Sequence, residues 1–288
     1  MKNFKFNAIT ALIVGLNMAA VNAADGPILN NGLDNTATGQ NVIVIGHKSV
    51  VGGENSTSIG TNTTADGINA LALGTDAKAK VTNPAAANSN KPANLIAIGT
   101  NAKSEAAETV AIGESAKASK HNANAFGSKA KAEGESSLAL GSGSYAKEDS
   151  SVAIGNDSNA TAKSSVALGE STNATAIFAT AVGDSATASG VRSFAAGLNS
   201  NAQSDDSIAI GANTSSTVRG ISIGAEASAY HQGISVGYKS NASGIGSIAT
   251  GVGTSASGLS SIASGSNAVA SSTGSVAIGE QSKATAGY

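Results

Sequence analysis

Apolar and polar positions recur along this chain with a period of fourteen residues. A Gly marks each period, at Gly46, Gly60, Gly74, Gly99, Gly113, Gly127, Gly141, Gly155, Gly169, Gly183, Gly197, Gly211, Gly224, Gly237, Gly251, Gly265 and Gly279. Thirteen of the intervals are 14 residues, two are 13 and one is 25. Before each Gly lies a short segment such as Ser151-Val152-Ala153-Ile154. Its large residues stand three and one positions before the Gly, so in a strand they share a face. The residue between them is Ala thirteen times, Ser three times and Val once. The segment is too short for a helix and rich in β-branched residues, which predicts a strand.

A second, weaker strand follows each Gly. The fifth residue after it is small in every repeat but the one with Val51, as at Ala118, Ala132 and Ala146. The third is often Ala as well, with a polar or charged residue between. That alternation predicts one buried and one wet face. Ser, Asn, Asp and Gly fill the remaining positions, where the chain turns. One repeat is therefore strand, Gly corner, strand, polar turn. Two such strands cannot bury a face alone, but stacked copies can, each strand pairing with its equivalent in the next turn. The predicted fold class is all-β: a parallel β-roll or β-solenoid of about seventeen rungs. The Gly reads as a corner with positive φ or close backbone approach. A phosphate-binding reading fails because no strand, Gly-rich loop and helix succeed one another.

The first strand is apolar on both faces, which normally means that both are covered. The reading from sequence places its large residues inside the coil and its Ala outside, with neighbouring chains packing on the Ala. Three such coils in a ring close that surface. On the same reading Asn124 with Phe126, and Phe194 with Ala196, are size exchanges within the core. Thr250 and Ser264 become polar interior positions that loosen the last rungs.

Composition narrows the picture. Aromatics are 3% of the 288 residues, Trp and Cys are absent, and charged residues are 12%. Any core must then be thin and filled by small aliphatic residues, and no disulfide supports it. Lys2 and Lys5, the apolar stretch Ala8 to Leu16 and the small-residue site Val21-Asn22-Ala23 follow one another as in a secretory signal peptide, expected over residues 1–23. The apolar stretch is too short to span a bilayer. Removing it leaves 15 basic against 19 acidic residues, a balance that speaks against nucleic acid. Residues 24–40 read as a lead-in or cap, and 41–288 as the repeats.

The recurring S-[IV]-A-[IL]-G segments at this spacing resemble the head repeats of trimeric autotransporter adhesins, the YadA-like head, from about Asn41 to Ala286. The resemblance implies a parallel, left-handed β-roll, a tight homotrimer and exposure at the bacterial cell surface or outer membrane, or secretion. It also implies a role in virulence: binding to host matrix proteins of the collagen, fibronectin and laminin class or to host cells, or autoagglutination. Members of that family continue into a coiled-coil stalk and a membrane anchor. Neither a heptad pattern nor a series of alternating membrane strands follows the last repeat here, so the resemblance covers the head, without stalk or anchor.

Three irregularities offer candidate chemistry. Residues 81–92, with two of the three prolines, form an inserted loop, the kind of element that carries binding on a rigid scaffold. Four successive repeats place a Lys four residues after the Gly, at Lys78, Lys103, Lys117 and Lys131. These form an outward column suited to acidic glycans or acidic matrix proteins. Glu105, Glu114 and Glu133 sit close by, and a merely solvated face is the plainer reading. His47, His121 and His231 occupy unlike positions in their repeats and form no column. No catalytic, metal or cofactor constellation is legible: no nucleophile elbow, zinc spacing or paired carboxylates. The alternative to an adhesin is a structural fibre or spacer without a ligand. An ice-binding solenoid lacks its ranks of Thr, and a polysaccharide-cleaving one lacks its carboxylate cluster.

Overall fold

The computed structural model of the chain describes residues 28–82 and 93–285. The expected signal segment over residues 1–23, and the inserted loop beyond Val81 and Thr82, lie outside them. The chain forms two compact units, one up to Lys129 and one from Ala130. All regular structure among the described residues is strand. Each unit is a parallel β-solenoid in which short strands alternate between two sheets, three and two residues long throughout the second unit and up to six in the first turns of the first. About seventeen turns of fourteen residues are divided between the units.

Within each unit the register is rung on rung. In the second unit Leu138, Ala139 and Leu140 stand opposite Val152, Ala153 and Ile154, which stand opposite Val166, Ala167 and Leu168. The other sheet stacks Tyr145-Ala146, Asn159-Ala160 and Asn173-Ala174 in the same way. In the first unit Ile96–Ile98 pairs with Leu71–Leu73 across the insertion, so the extra residues leave the ladder intact. Pairing reaches into the expected lead-in: Ile28–Leu33 lies on Val42–His47 and sets Gly32 opposite Gly46.

Two local demands shape each turn. The marker Gly has φ near 130°, as at Gly155 (133°), and any Cβ there would strike the Gly of the next rung. Two further residues per turn, seven apart, take the left-handed conformation, such as Asp157 (52°) and Ser164 (55°), or Asn199 (52°) and Asp206 (57°). Short polar side chains tolerate that conformation best. Some of them form ladders of their own, with Asn199 Nδ2 donating to Asn213 Oδ1 at 3.3 Å.

The orientation of the first strand is the reverse of the expectation from sequence. Its Ala points inward: Ala111, Ala139, Ala153, Ala167 and Ala209 are fully buried. The large residues on either side point outward, half-buried or exposed, with Leu140 at 44% and Ile210 at 37% exposure. Phe126, Phe194, Thr250 and Ser264 lie on the same outer face, so they are neither core exchanges nor interior polar positions. The reason is the size of the coil. Two sheets that pack through large side chains stand about 10 Å apart. Turns this short hold the two strands of a rung closer, and the space between admits little more than a Cβ or a hydroxyl.

The interior is accordingly made of Ala, Ser and Thr, with inward residues of the second strand such as Ala118, Ala160 and Ala174 buried as expected. Many buried hydroxyls are satisfied locally, while those of Ser193, Ser200, Ser216, Ser247 and Ser261 have no hydrogen-bond partner among the described residues. Ser137 donates to the Gly134 carbonyl at 2.7 Å and Ser165 to the Ala162 carbonyl at 2.7 Å, each closing the turn that precedes its strand. Larger interior residues are confined to the first unit and compensated there: Leu95 fills the space beside Gly67, where a Cβ would lie 2.9 Å from its Cδ1.

Candidate binding surfaces

Since the interior takes mostly small residues, the large aliphatics that flank the inward residue of each first strand lie on one outer face of each unit. In the second unit these run through Leu138 and Leu140, Val152 and Ile154, Ile208 and Ile210, to Ile234 and Val236, in two parallel columns one residue apart from the buried Ala. Ile223, Ile234 and Val236 remain 39%, 36% and 37% exposed. Covering the rest of one such side chain is worth about 1–2 kcal/mol. A long flat row of them is a binding surface by its composition.

The lysines sit on the opposite sheet. In the first unit Lys78 stands in register with Lys103, and Lys103 with Lys117, all projecting outward between buried small residues. Lys117 Nζ lies 3.7 Å from the Glu105 carboxylate. Lys131 belongs to the second unit, where it pairs in register with Tyr145 and places its Nζ 5.9 Å above that ring. The Tyr145 hydroxyl donates to Glu133 at 2.8 Å. Burial, reinforced by that hydrogen bond, pushes its phenol up to about 12. The structure thus brings three of the four lysines into one ladder. His47 lies 3.7 Å from Asp34 and His121 3.6 Å from Glu108, both near solvent, and no cluster fit for a metal occurs among the described residues.

A further feature was not singled out from the sequence. The two 13-residue intervals are consecutive, Gly211 to Gly224 and Gly224 to Gly237, and each loses its residue from the polar turn. The shortened turns are Thr217–Gly220 and Tyr230–Gly233, closed by Gly220 N–H to Thr217 O at 2.6 Å and Gly233 N–H to Tyr230 O at 2.7 Å. Gly replaces the usual buried Ser at the end of both, because a Cβ on Gly220 would come within 2.9 Å of the Thr217 carbonyl. Beside the first of them opens a cavity of about 390 Å³, lined by Gln203, Asp205, Val218 and Arg219 among others. The signal available in the sequence was the pairing of a short interval with a Gly in the Ser position, twice in succession.

Compared with known families, the chain matches the model of the YadA head domain repeat in fourteen overlapping stretches between residues 37 and 288. The matched stretches leave out residues 84–95, which hold most of the insertion, and 215–230, which contain the first shortened turn. No curated protein matches the chain.

Proposed function

We propose, from the premise that this chain belongs to the YadA head domain repeat family, that it is the adhesive head of a bacterial surface protein and works as a homotrimer. The family implies an adhesin-type function, and the family and fold are structural rather than enzymatic. The observation that carries the finer reading is the outer aliphatic face. In the second unit its half-exposed rows, mostly Ile, Leu and Val, continue from rung to rung without a charged residue in the three-residue strands from Leu138 to Ile278. Parallel copies of the same chain present the same rows at the same spacing, so the rows of one unit cover those of the same unit in its neighbours. The sheets bearing the lysines and the polar turns then remain outside, where host matrix proteins of the collagen, fibronectin and laminin class, host cells or other bacteria can be met. Many weak contacts repeated on copies held together give avidity without one deep site.

Light scattering on the purified chain is expected to give three times the chain mass, and Ile210→Asp to lower it. Surfaces coated with collagen, fibronectin and laminin are expected to retain cells displaying the chain, or such cells are expected to clump. A trimer that does neither is a spacer. Export through the signal segment over residues 1–23 belongs to the same proposal and is tested by the N-terminus of the mature protein, expected at Ala24.

The Lys78, Lys103 and Lys117 ladder of the first unit, and Lys131 of the second, support contact with acidic ligands. Like charges stacked in register repel, and neither Lys78 nor Lys103 has an ion-pair partner among the described residues. Replacing all four by Gln is expected to weaken adhesion to acidic surfaces with the oligomer intact.

A further inference from the structure

The two shortened turns interrupt an otherwise regular edge of the second unit. Their backbone follows the neighbouring rungs closely. Arg219 N–H donates to the Asp205 carbonyl at 3.2 Å, and Gln232 N–H to the Val218 carbonyl at 2.8 Å. The Tyr230–Gln232 turn is thus stacked directly on the Thr217–Arg219 turn. The first of the shortened turns, one residue shorter than the turn at Ser204–Asp206, meets that longer turn in a step at the cavity described above, which Ser204, Asp205, Val218 and Arg219 line together.

The side chains gathered there differ from the rest of the edge. Asp206, the carboxylate that Arg219 senses at long range, already holds a bidentate pair with Arg192, at 2.6 and 2.9 Å. One Asp205 oxygen accepts the Val191 N–H at 2.9 Å. Arg219 itself makes no ion pair or side-chain hydrogen bond among the described residues, and its guanidinium is exposed beside the cavity. One rung on, outside the lining of the cavity, Tyr230 is half exposed in a chain that is 3% aromatic, and its ring meets His231 edge-on at 5.4 Å. Gln203, Asp205 and Ser189 supply hydrogen-bonding groups along the rim.

We infer that this step is a saccharide-binding site for sugars that carry a carboxylate. The planar fork of an unpaired guanidinium matches a carboxylate in two parallel hydrogen bonds. An aromatic face accepts the C–H surface of a pyranose ring through its negative quadrupole. Gln203 and Ser189 as neutral donors and acceptors, with the Asp205 carboxylate as a further acceptor, suit the hydroxyls of the same sugar. An anion such as free phosphate uses Arg219 and leaves Tyr230 idle, so the aromatic ring selects the sugar. The site deepens the adhesin reading; its Arg219 and Tyr230 fall within residues 215–230, which the family model does not match.

The test is ligand-observed NMR and titration on the full purified chain with 3′-sialyllactose and a hyaluronan tetrasaccharide, with lactose as the neutral arm. At least one acidic sugar is expected to bind, and lactose at least tenfold more weakly. Arg219→Gln and Tyr230→Ala are each expected to weaken acidic-sugar binding at least tenfold, and Arg219→Lys to restore part of it. Both side chains project from the surface, and unchanged melting of each variant excludes misfolding. Binding of neither acidic sugar, equal binding of lactose, or full affinity in either variant overturns the site. The sialyl and uronate arms separate the two acidic-sugar sources. Because soluble sugar is read on the isolated chain, failure here is distinguishable from failure of cell adhesion, which is read on displaying cells.

Discussion

Gly155 lies directly against Gly169: a Cβ on Gly155 would sit 2.1 Å from the carbonyl oxygen of Gly169. With φ at 133°, that position excludes a side chain twice over, by conformation and by contact with the next rung's backbone. Gly155→Ala is expected to lower stability by about 2–4 kcal/mol, read as a shift in the urea or thermal midpoint. A variant as stable as the parent overturns the stacked-corner geometry.

Ala153 and Ile154 are neighbours in one strand and should respond oppositely to changes of size. Ala153 is fully buried between the sheets, and Ala153→Leu is expected to cost about 1–3 kcal/mol or more by overpacking. Ile154 faces outward, so Ile154→Ala is expected to cost the single chain about 1 kcal/mol or less while weakening the association of copies. Denaturation of dilute chain and light scattering at higher concentration separate the two effects.

Phe178 occupies a left-handed turn position with φ at 59° and is 57% exposed. A bulky side chain gains little burial there and strains the backbone. Phe178→Asn is expected to raise stability by about 0.5–1 kcal/mol, measured by thermal unfolding. A loss of stability shows that the ring makes a contact worth more than the strain.

The Arg192 guanidinium, bonded to Asp206 in two places, holds that carboxyl below the ordinary carboxylate range. A depressed carboxyl contributes stability that is present above its unfolded pKa of about 3.9 and is lost as pH falls through the lower folded value. The pair is exposed, so the expected effect on melting is small. The clear readout is the Asp206 titration by NMR, with a midpoint below the usual range that returns toward it in Arg192→Gln.

The Tyr145 phenol moves the other way, up to about 12 through burial and its hydrogen bond to Glu133. Its contribution is present below the unfolded value of about 10 and is lost as pH rises through the folded one. Ultraviolet titration is expected to show one tyrosine ionising late, and Glu133→Gln to bring it back toward the others.

The repeat, its strands, its corners and its all-β class were legible in the sequence, because a fourteen-residue period carried by Gly46 through Gly279 repeats one local instruction many times. The outward lysine column was legible for the same reason: Lys78, Lys103 and Lys117 share one place in the period. What the sequence left open was which side of the first strand is inside. Alternation in Val152-Ala153-Ile154 fixes two faces but does not label them, and the habit of placing large residues in cores pointed the wrong way. Only the distance between two sheets joined by turns this short decides it, because that gap admits Ala and Ser and excludes Ile. The step beside Arg219 and Tyr230 was likewise invisible as a site. Two missing residues are a small change of spacing in one dimension, and the first of them borders a cavity only when its turn is stacked against a longer neighbour.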